Sequence, residues 1–275
     1  MTLTTKPVAL ITGASSGMGK DFALRLISEG YAVYGAARRT DQMQDIHSAG
    51  GVALALDVTE DASMVSAVDQ IVRERGRIDV LINCAGYGQM GALEDVTMED
   101  ARRQMDVNLF GLARLTQLVL PHMRAQRSGK VINISSIGGK LSTPLAGWYH
   151  ASKFALEGYS DTLRMEVEPF GVEVVVVEPA GTDSEWIPIA IKQLQRVSAR
   201  GPYQHLVEGI VQSKAWNRKM PSPSTVTDLV VKALQAKRPQ TRYVVGFMAK
   251  VALQLRHLLP DRIFDRLMMS AVKKG

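Results

Sequence analysis

In the segment GWYHASKFALEGY, from Gly147 to Tyr159, a tyrosine and a lysine stand four positions apart in an otherwise apolar run. Residues at i and i+4 of a helix share a face, so Tyr149 and Lys153 present a phenol and an ammonium to one spot. A partly buried tyrosine beside a surface lysine would give the same spacing. The chemical reading is acid–base work. A phenol with a pKa near 10 exchanges protons poorly at neutral pH. A cation ~4 Å away, at an effective dielectric of ~20, contributes roughly 4 kcal/mol, which lowers it by about three units. The pair thus predicts an acidified phenol. Ser135 and Ser136 close the run KVINISS, and a hydroxyl there can hold the oxygen on which the phenol acts. His150, beside Tyr149, faces elsewhere on a helix and is expected to play no part.

A second chemical signal lies near the start, in TGASSGMGK, with Gly13, Gly17 and Gly19. Glycines between a strand and a helix remove the side chains that would block a pyrophosphate, and the helix N-terminus offers free N–H groups and the positive end of its dipole. The spacing is G-x-x-x-G-x-G.

These residues need a scaffold that brings distant segments to one edge. Short β-branched runs, VALITG, YAVYGAARR, GVALALDV, IDVLINCAG, KVINISS, VEVVVVEP and RYVVG, alternate with helical patterns. Their near-continuous apolarity fits strands buried on both faces of a parallel sheet. The alternation predicts one α/β domain, a doubly wound Rossmann-type sheet of about seven strands with helices on both faces. One helix is expected to open at Thr59 to Asp61 and close near Gly76. Another, carrying Tyr149, is expected to stop at Pro169 and Gly171.

Composition narrows the function classes. The chain has 275 residues, is 46% apolar and carries a single cysteine, Cys84, which excludes an internal disulfide and a cysteine-based zinc cluster. No metal site is expected. Nine Lys or Arg against two Asp lie between Lys237 and Gly275, so the formal charge of +6 belongs to the tail. There is no basic stripe interleaved with aromatics, and no nucleic-acid partner is expected. The first residues, MTLTTKPVALITG, run straight into a strand, and no long apolar run follows, so the expectation is a cytoplasmic protein.

Taken together, TGASSGMG, NCAG at Asn83–Gly86, SSIGG from Ser135, and Y-x-x-x-K at Tyr149 occur in the order of the short-chain dehydrogenase/reductase family, which the chain resembles from about Val8 to Trp186. Length and ASKFALEGYSDTLR look like its short single-domain branch, near the 17-beta-hydroxysteroid and retinol dehydrogenase-like members. The resemblance implies hydride transfer between a nicotinamide and a carbonyl or secondary alcohol. It assigns catalysis to Ser136, Tyr149, Lys153 and Asn108, and prefers Ser136 to Ser135 on its spacing to Tyr149. In the family the lysine also binds the nicotinamide ribose, and the asparagine holds a water that relays protons to it. Cofactor contacts carried over are Gly13, Ser15, Ser16, Gly17, Met18 and Gly19 in the glycine turn, Asp57 and Val58 beside adenine, and Asn83, Ala85 and Gly86 beneath the cofactor. Tyr149 and Lys153 join them, with Pro179, Gly181, Thr182 and Ser184 after the sixth strand. Cys84, Ala180 and Ser184 depart from the family pattern by small-for-small changes.

The second strand ends at Ala37 where a binder of the unphosphorylated cofactor has an acid, and Arg38 and Arg39 follow. Guanidinium forks suit a 2′-phosphate, so NADP(H) is preferred to NAD(H). Residues 184–222 correspond to the family's substrate lid, in which Trp186 and Tyr203 are expected to line a pocket for a steroid, retinoid or other hydrophobic carbonyl. The catalytic domain would span 1–246, with 247–275 as an amphipathic helical extension. There Met248, Val251, Ala252, Leu255, Leu258 and Leu259, then Ile263, Phe264, Leu267 and Met268, fall at helical spacing, with Lys250, Arg256, Arg262 and Arg266 on other faces. This fits a peripheral membrane or partner surface, or a tail docked on the body or closing an oligomer. Family members are commonly dimers or tetramers. A non-catalytic dinucleotide-sensing regulator is the alternative function.

Overall fold

A computed structural model describes residues 6–183, 185–213 and 220–273. Its centre is a parallel sheet of seven strands in the order β3-β2-β1-β4-β5-β6-β7. The strands are β1 (Val8–Thr12), β2 (Ala32–Ala37), β3 (Val52–Ala55), β4 (Val80–Asn83), β5 (Gly129–Ile134), β6 (Val172–Pro179) and β7 (Arg242–Val245). All seven expected strands are present.

The period of two in these runs decides which helix covers which face. Ile11, Ile82, Ile132 and Val175 point to one side, where Phe22 and Leu26 of α1 (Gly17–Ser28) pack on them together with Val226 and Val230 of a later helix, Ser224–Gln235. Leu10, Leu81, Val131 and Val174 point to the other. That side is closed by α3 (Asp61–Arg75), α5 (Gly111–Gln126) and α6 (Gly147–Val167), through Ile71, Leu115, Val119 and Leu163. A short helix, α2 (Gln44–Ser48), precedes β3. The expected helix ends are found: Gly76 takes a left-handed conformation after α3, and Gly171 does the same after the turn Glu168–Phe170 that follows α6.

Between β4 and α5 the chain forms α4 (Met98–Met105), whose Thr97 side chain accepts the Asp100 N–H at 3.1 Å. It then widens into a π turn, Asp106–Phe110, that runs directly into α5. After β6 come α7 (Trp186–Ser198), α8 (Gln204–Gln212) and α9 (Ser224–Gln235). After β7, α10 (Phe247–Leu258) and α11 (Asp261–Lys273) are separated at Pro260. The tail's apolar stripe is largely uncovered: Phe264 and Ala249 are buried, whereas Met248, Leu255, Leu258, Ile263 and Leu267 are exposed.

Strand order reverses between β1 and β4, so the loops leaving their carboxyl ends diverge and open a crevice. Close packing at its floor depends on two glycines. Gly13 has φ +72°, and a Cβ there would lie 3.0 Å from the Ala85 nitrogen; a Cβ on Gly19 would collide with the Gly13 carbonyl. Gly19→Ala is expected to destabilise the chain by about 1–3 kcal/mol in urea unfolding, because backbone rather than a flexible side chain must give way. An unchanged unfolding midpoint would show that the turn is looser than this packing requires.

Candidate active site

Side chains from five elements meet at the carboxyl edge of the sheet. β5 ends at Ile134, and the next residues place Ser136 so that its hydroxyl donates to the Pro179 carbonyl at the end of β6, 3.3 Å away, and accepts the Gly138 N–H at 3.0 Å. Tyr149, in the first turn of α6, lies near enough to Ser136 for that hydroxyl to influence its phenol, and it packs 5.2 Å, centroid to centroid, from the Trp186 ring. One helical turn on, Lys153 is buried; its Nζ donates to the Ile134 carbonyl at 2.8 Å and sits 6.0 Å from the centre of the Tyr149 ring.

Asn108 reaches the same place from the π turn. Its amide nitrogen donates to the Tyr87 carbonyl at 3.0 Å and to Ser152 Oγ at 3.1 Å, while its oxygen accepts the Tyr87 N–H at 3.1 Å. A Cβ added to Gly86 would lie 3.2 Å from Asn108 Oδ1 and 3.9 Å from Lys153 Nζ, so amide and ammonium flank one glycine. The structure therefore brings Ser136, Tyr149, Lys153 and Asn108 together. Ser135, also buried, points its hydroxyl into the protein without a partner among the described residues.

The electrostatics reverse one expectation. Burial pushes the Tyr149 phenol up, and the Ser136 hydroxyl only partly offsets this; acidification by Lys153 does not appear. The lysine is itself desolvated: burial drives its ammonium down to about 8, with Cys84 and then Glu157 pulling the other way. Neutral phenol is the resting form.

The dinucleotide side is a cradle of backbone. α1 begins at Gly17 with no side chain capping its first N–H groups, and the two glycine positions that a Cβ would fill lie beneath it. Arg39 reaches over the turn, its guanidinium 3.4 Å from both Ser15 Oγ and Ser16 Oγ and 3.5 Å from Glu185. Arg38 faces Asp57 across 3.9 Å. Unblocked N–H groups beside two guanidinium groups fit a phosphorylated dinucleotide. Val58 is buried, with its carbonyl against Gly111 of α5, and Thr12 Oγ1 ties the crevice floor by accepting the Cys84 and Ala85 N–H groups, each at 3.0 Å. Asn83 is the exception: its amide turns inward to Asn133 at 2.9 Å and Thr116 at 3.2 Å, so it shapes the crevice through its backbone. Pro179, Gly181 and Thr182 line the cavity after β6, as does Met18. Ser184 lies outside the described residues.

The cavity over Tyr149 holds about 330 Å³. Trp186 and Ile187 of α7, Ile210 of α8, and Met268 and Val272 of α11 form its apolar wall. Tyr203 does not; it packs, partly buried, in the cluster between α7 and α8. Sequence reasoning missed His150, which also borders the cavity and has both ring nitrogens bonded. The cue for α11 was its apolar spacing, which did not say what it would meet.

A family model described as short chain dehydrogenase matches residues 7–190. The chain belongs to this family. A 3-ketodihydrosphingosine reductase of Bacteroides thetaiotaomicron is 50% identical over 173 residues, a match that spans 62% of this chain and 62% of that protein. An NADPH-dependent 3-dehydrocapnine reductase of Ornithobacterium rhinotracheale is 32% identical, covering 97% of each chain. Among solved structures, a short-chain dehydrogenase from Streptomyces avermitilis is 32% identical with a TM-score of 0.76, covering 98% of this chain and 97% of that one. One from Burkholderia phymatum, in complex with NAD, is 24% identical and shares the fold at a TM-score of 0.80, over 94% and 95% of the chains.

The buried lysine has a measurable signature. Its folded value of about 8 lies below the ordinary 10.5, so between these values the unfolded chain holds the extra proton and stability rises with pH. Lys153→Met is expected to be more stable than wild type at neutral pH by about 2 kcal/mol, after allowing for the lost Ile134 bond. The advantage should shrink toward pH 10.5 in denaturant titrations. A difference that stays flat across this window would mean that the ammonium is not desolvated.

Proposed function

We propose that the chain is an NADP(H)-dependent oxidoreductase acting on the carbonyl or secondary alcohol of a lipophilic substrate. The observation that carries this reading is that Ser136 and Tyr149 line an apolar cavity that Met18 of the glycine turn also borders, with Lys153 buried one helical turn beyond Tyr149. When bound, the nicotinamide supplies or accepts the hydride. Ser136 would hold the substrate oxygen, and Tyr149, protonated near neutrality because burial pushes its phenol up, would exchange a proton with it. Lys153 and Asn108 would hold the ribose side and resupply that proton. Gly13, Ser15, Ser16, Gly17, Met18 and Gly19 would cradle the phosphates, with Asp57, Val58, Asn83, Ala85 and Gly86 shaping the adenine and nicotinamide ends. Pro179, Gly181, Thr182 and Ser184 would close the cofactor site after β6.

Support for NADP(H) is the arginine pair in place of an acid, together with the NADPH-dependent relative. Support for a lipophilic ketone is the apolar cavity wall, together with the 3-ketodihydrosphingosine in the name of the Bacteroides relative. Residues 184–222 would act as the substrate lid. Among the described residues no helix is long and apolar enough to cross a membrane. Phe247 and Leu258 are nevertheless 78% and 74% exposed on α10, near Lys250, Arg256 and Arg262. This arrangement suits a cytoplasmic enzyme in peripheral contact with an anionic bilayer. Phe110, Phe154 and Met165 are exposed on the π turn and α6, where a homodimer or homotetramer would cover them.

With NADPH and a panel of ketones, Tyr149→Phe is expected to lower kcat by about a hundredfold or more. Arg39→Ala should lower kcat/KM for NADPH by about tenfold while leaving NADH nearly unchanged. Cofactor binding with no turnover of any ketone, in wild type as in Tyr149→Phe, would favour a dinucleotide-sensing regulator instead.

The membrane contact has its own check. Wild type should co-sediment with vesicles containing phosphatidylserine, and Phe247→Ser combined with Leu258→Ser should weaken this by about tenfold or more. Equal sedimentation of the two proteins would remove α10 from the contact.

A further inference from the structure

His150 stands beside the reactive phenol, and the chemistry above makes no use of it. Its imidazole is 6% exposed. Nδ1 lies 2.8 Å from the Gly138 carbonyl; Nε2 lies 3.0 Å from the Thr143 backbone nitrogen and 3.0 Å from Thr143 Oγ1. A backbone N–H only donates, so Nε2 is the acceptor; a carbonyl only accepts, so Nδ1 carries the proton. The network thus selects one neutral tautomer. Burial, which holds this imidazole below its ordinary pKa, agrees with that assignment.

The two contacts lie five residues apart on the loop that joins β5 to α6. This loop forms the cavity wall opposite α7, through Ile137, Leu141, Thr143 and Pro144. It begins as a single turn, Ile137–Gly139, and reaches Leu145 at φ +63°, a left-handed conformation that a leucine adopts only when its surroundings impose it. Gly138 is where the clamp meets the reacting groups: its N–H donates to Ser136 Oγ at 3.0 Å and its carbonyl accepts from His150. A Cβ on Gly138 would lie 2.9 Å from His150 Nδ1 and 3.2 Å from Tyr149 Cε1, so imidazole, loop and phenol are packed in contact. Elsewhere the loop is held by Lys140 paired with Glu157 at 2.9 Å and by the Gly91 N–H on the Leu145 carbonyl at 2.8 Å. Neither contact touches Gly138.

We propose that His150 is a positioning residue with two separable functions. Through Gly138 it fixes the position of the Ser136 oxygen beside Tyr149, and through Thr143 it fixes the wall against which a bulky substrate rests. The inference rests on the oxidoreductase reading of Ser136 and Tyr149 and adds the residue that sets their geometry and the width of the cavity. Asparagine at 150 offers an amide N–H near the Nδ1 position and loses the distal acceptor. Glutamine offers an acceptor near Nε2 and loses the proximal donor.

The test is steady-state kinetics with NADPH on a small ketone, cyclohexanone, and a long one, undecan-2-one, beside NADPH binding followed by fluorescence. His150→Phe is expected to lower kcat on both ketones by about tenfold, the loss of one hydrogen bond, with NADPH affinity unchanged. His150→Asn should keep kcat on cyclohexanone and raise KM for undecan-2-one several-fold; His150→Gln should lower kcat and leave the KM ratio of the two ketones near that of wild type. In a Ser136→Ala background, His150→Phe should reduce kcat on cyclohexanone by less than about twofold more, because it acts through the missing hydroxyl. Multiplicative losses in the double variant would overturn the inference, as would Asn and Gln variants that behave alike, or losses of kcat that follow losses of NADPH affinity. Should His150→Phe fail to fold, the contrast between Asn and Gln decides. A wild-type kcat in Ser136→Ala would overturn the reading of the site itself, whereas a deep loss there with none in the His150 variants would overturn the positioning role alone.

Discussion

An ammonium group taken out of water at the end of a sheet is the constraint around which this fold is arranged. Lys153 has surrendered hydration, and burial pulls its pKa down to about 8. What keeps it there is geometry imposed from outside: the Ile134 carbonyl at 2.8 Å, one residue beyond the last pair of β5 with β4, and helix α6 packed on the sheet. A lysine on a free helix would snorkel to solvent. Here packing of Leu156, Leu163 and Val167 against the sheet's neighbours leaves its stem only one direction, and Asn108 faces it across Gly86. The π turn matters for the same reason. Widening the helix between Met105 and Gly111 lets the Asn108 amide bond both backbone groups of Tyr87 while remaining beside the lysine.

Behind the ammonium lies a second buried charge system. Arg242 of β7 reaches Glu157 at 3.0 Å, Asp161 at 2.7 Å and Glu178 at 3.3 Å, and Lys140 adds a fourth contact on Glu157. Burial, then the neighbouring Glu157, pushes the Glu178 carboxyl up to about 7. Such a network is weak evidence for stability, since desolvation consumes most of the Coulomb attraction, yet removing one member would strand the others. Its value is registry. It joins β6, β7, α6 and the loop after β5, the same elements that carry Pro179, Tyr149 and Ser136, so these residues are braced from behind by groups whose charges must stay paired.

The sequence was informative wherever one-dimensional pattern maps directly onto geometry. Seven apolar runs became seven strands because a doubly covered parallel strand has no polar face to interrupt the run. Y-x-x-x-K became a shared helix face because the period of the helix requires it. What could not be read was whatever depends on the neighbours that folding supplies. The expected acidification of Tyr149 rests on the attraction of a neighbouring cation alone; folding also takes the phenol out of water, and burial pushes it up instead. Asn83 looked like a cofactor contact from its place after β4, but register puts it opposite Asn133, whose carbonyl takes its amide. His150 was set aside because it points away from the phenol's helix face, and that direction is what lets it reach the loop. Tyr203 was placed in the pocket by its aromatic character, and the turn between α7 and α8 carries it elsewhere.

The match to the family ends at residue 190, and the cavity does not. Ile210, Ser213, Met220, Met268 and Val272 all lie beyond it, on segments that contribute nothing to the sheet. The division has a physical basis. Ser136, Tyr149 and Lys153 sit at a strand end and on a helix packed against the sheet, where their mutual distances are fixed. A binding wall needs only shape and apolarity, and these can be supplied by helices attached late in the chain. α11 shows how close that attachment is: a Cβ on Gly209 of α8 would strike the Val272 carbonyl, so the last helix lies on α8 at backbone contact while its Met268 and Val272 reach the cavity. Part of the cavity's apolar wall is therefore built by the same tail that carries the basic charge and the uncovered apolar face, away from the strand end and helix that hold Ser136, Tyr149 and Lys153.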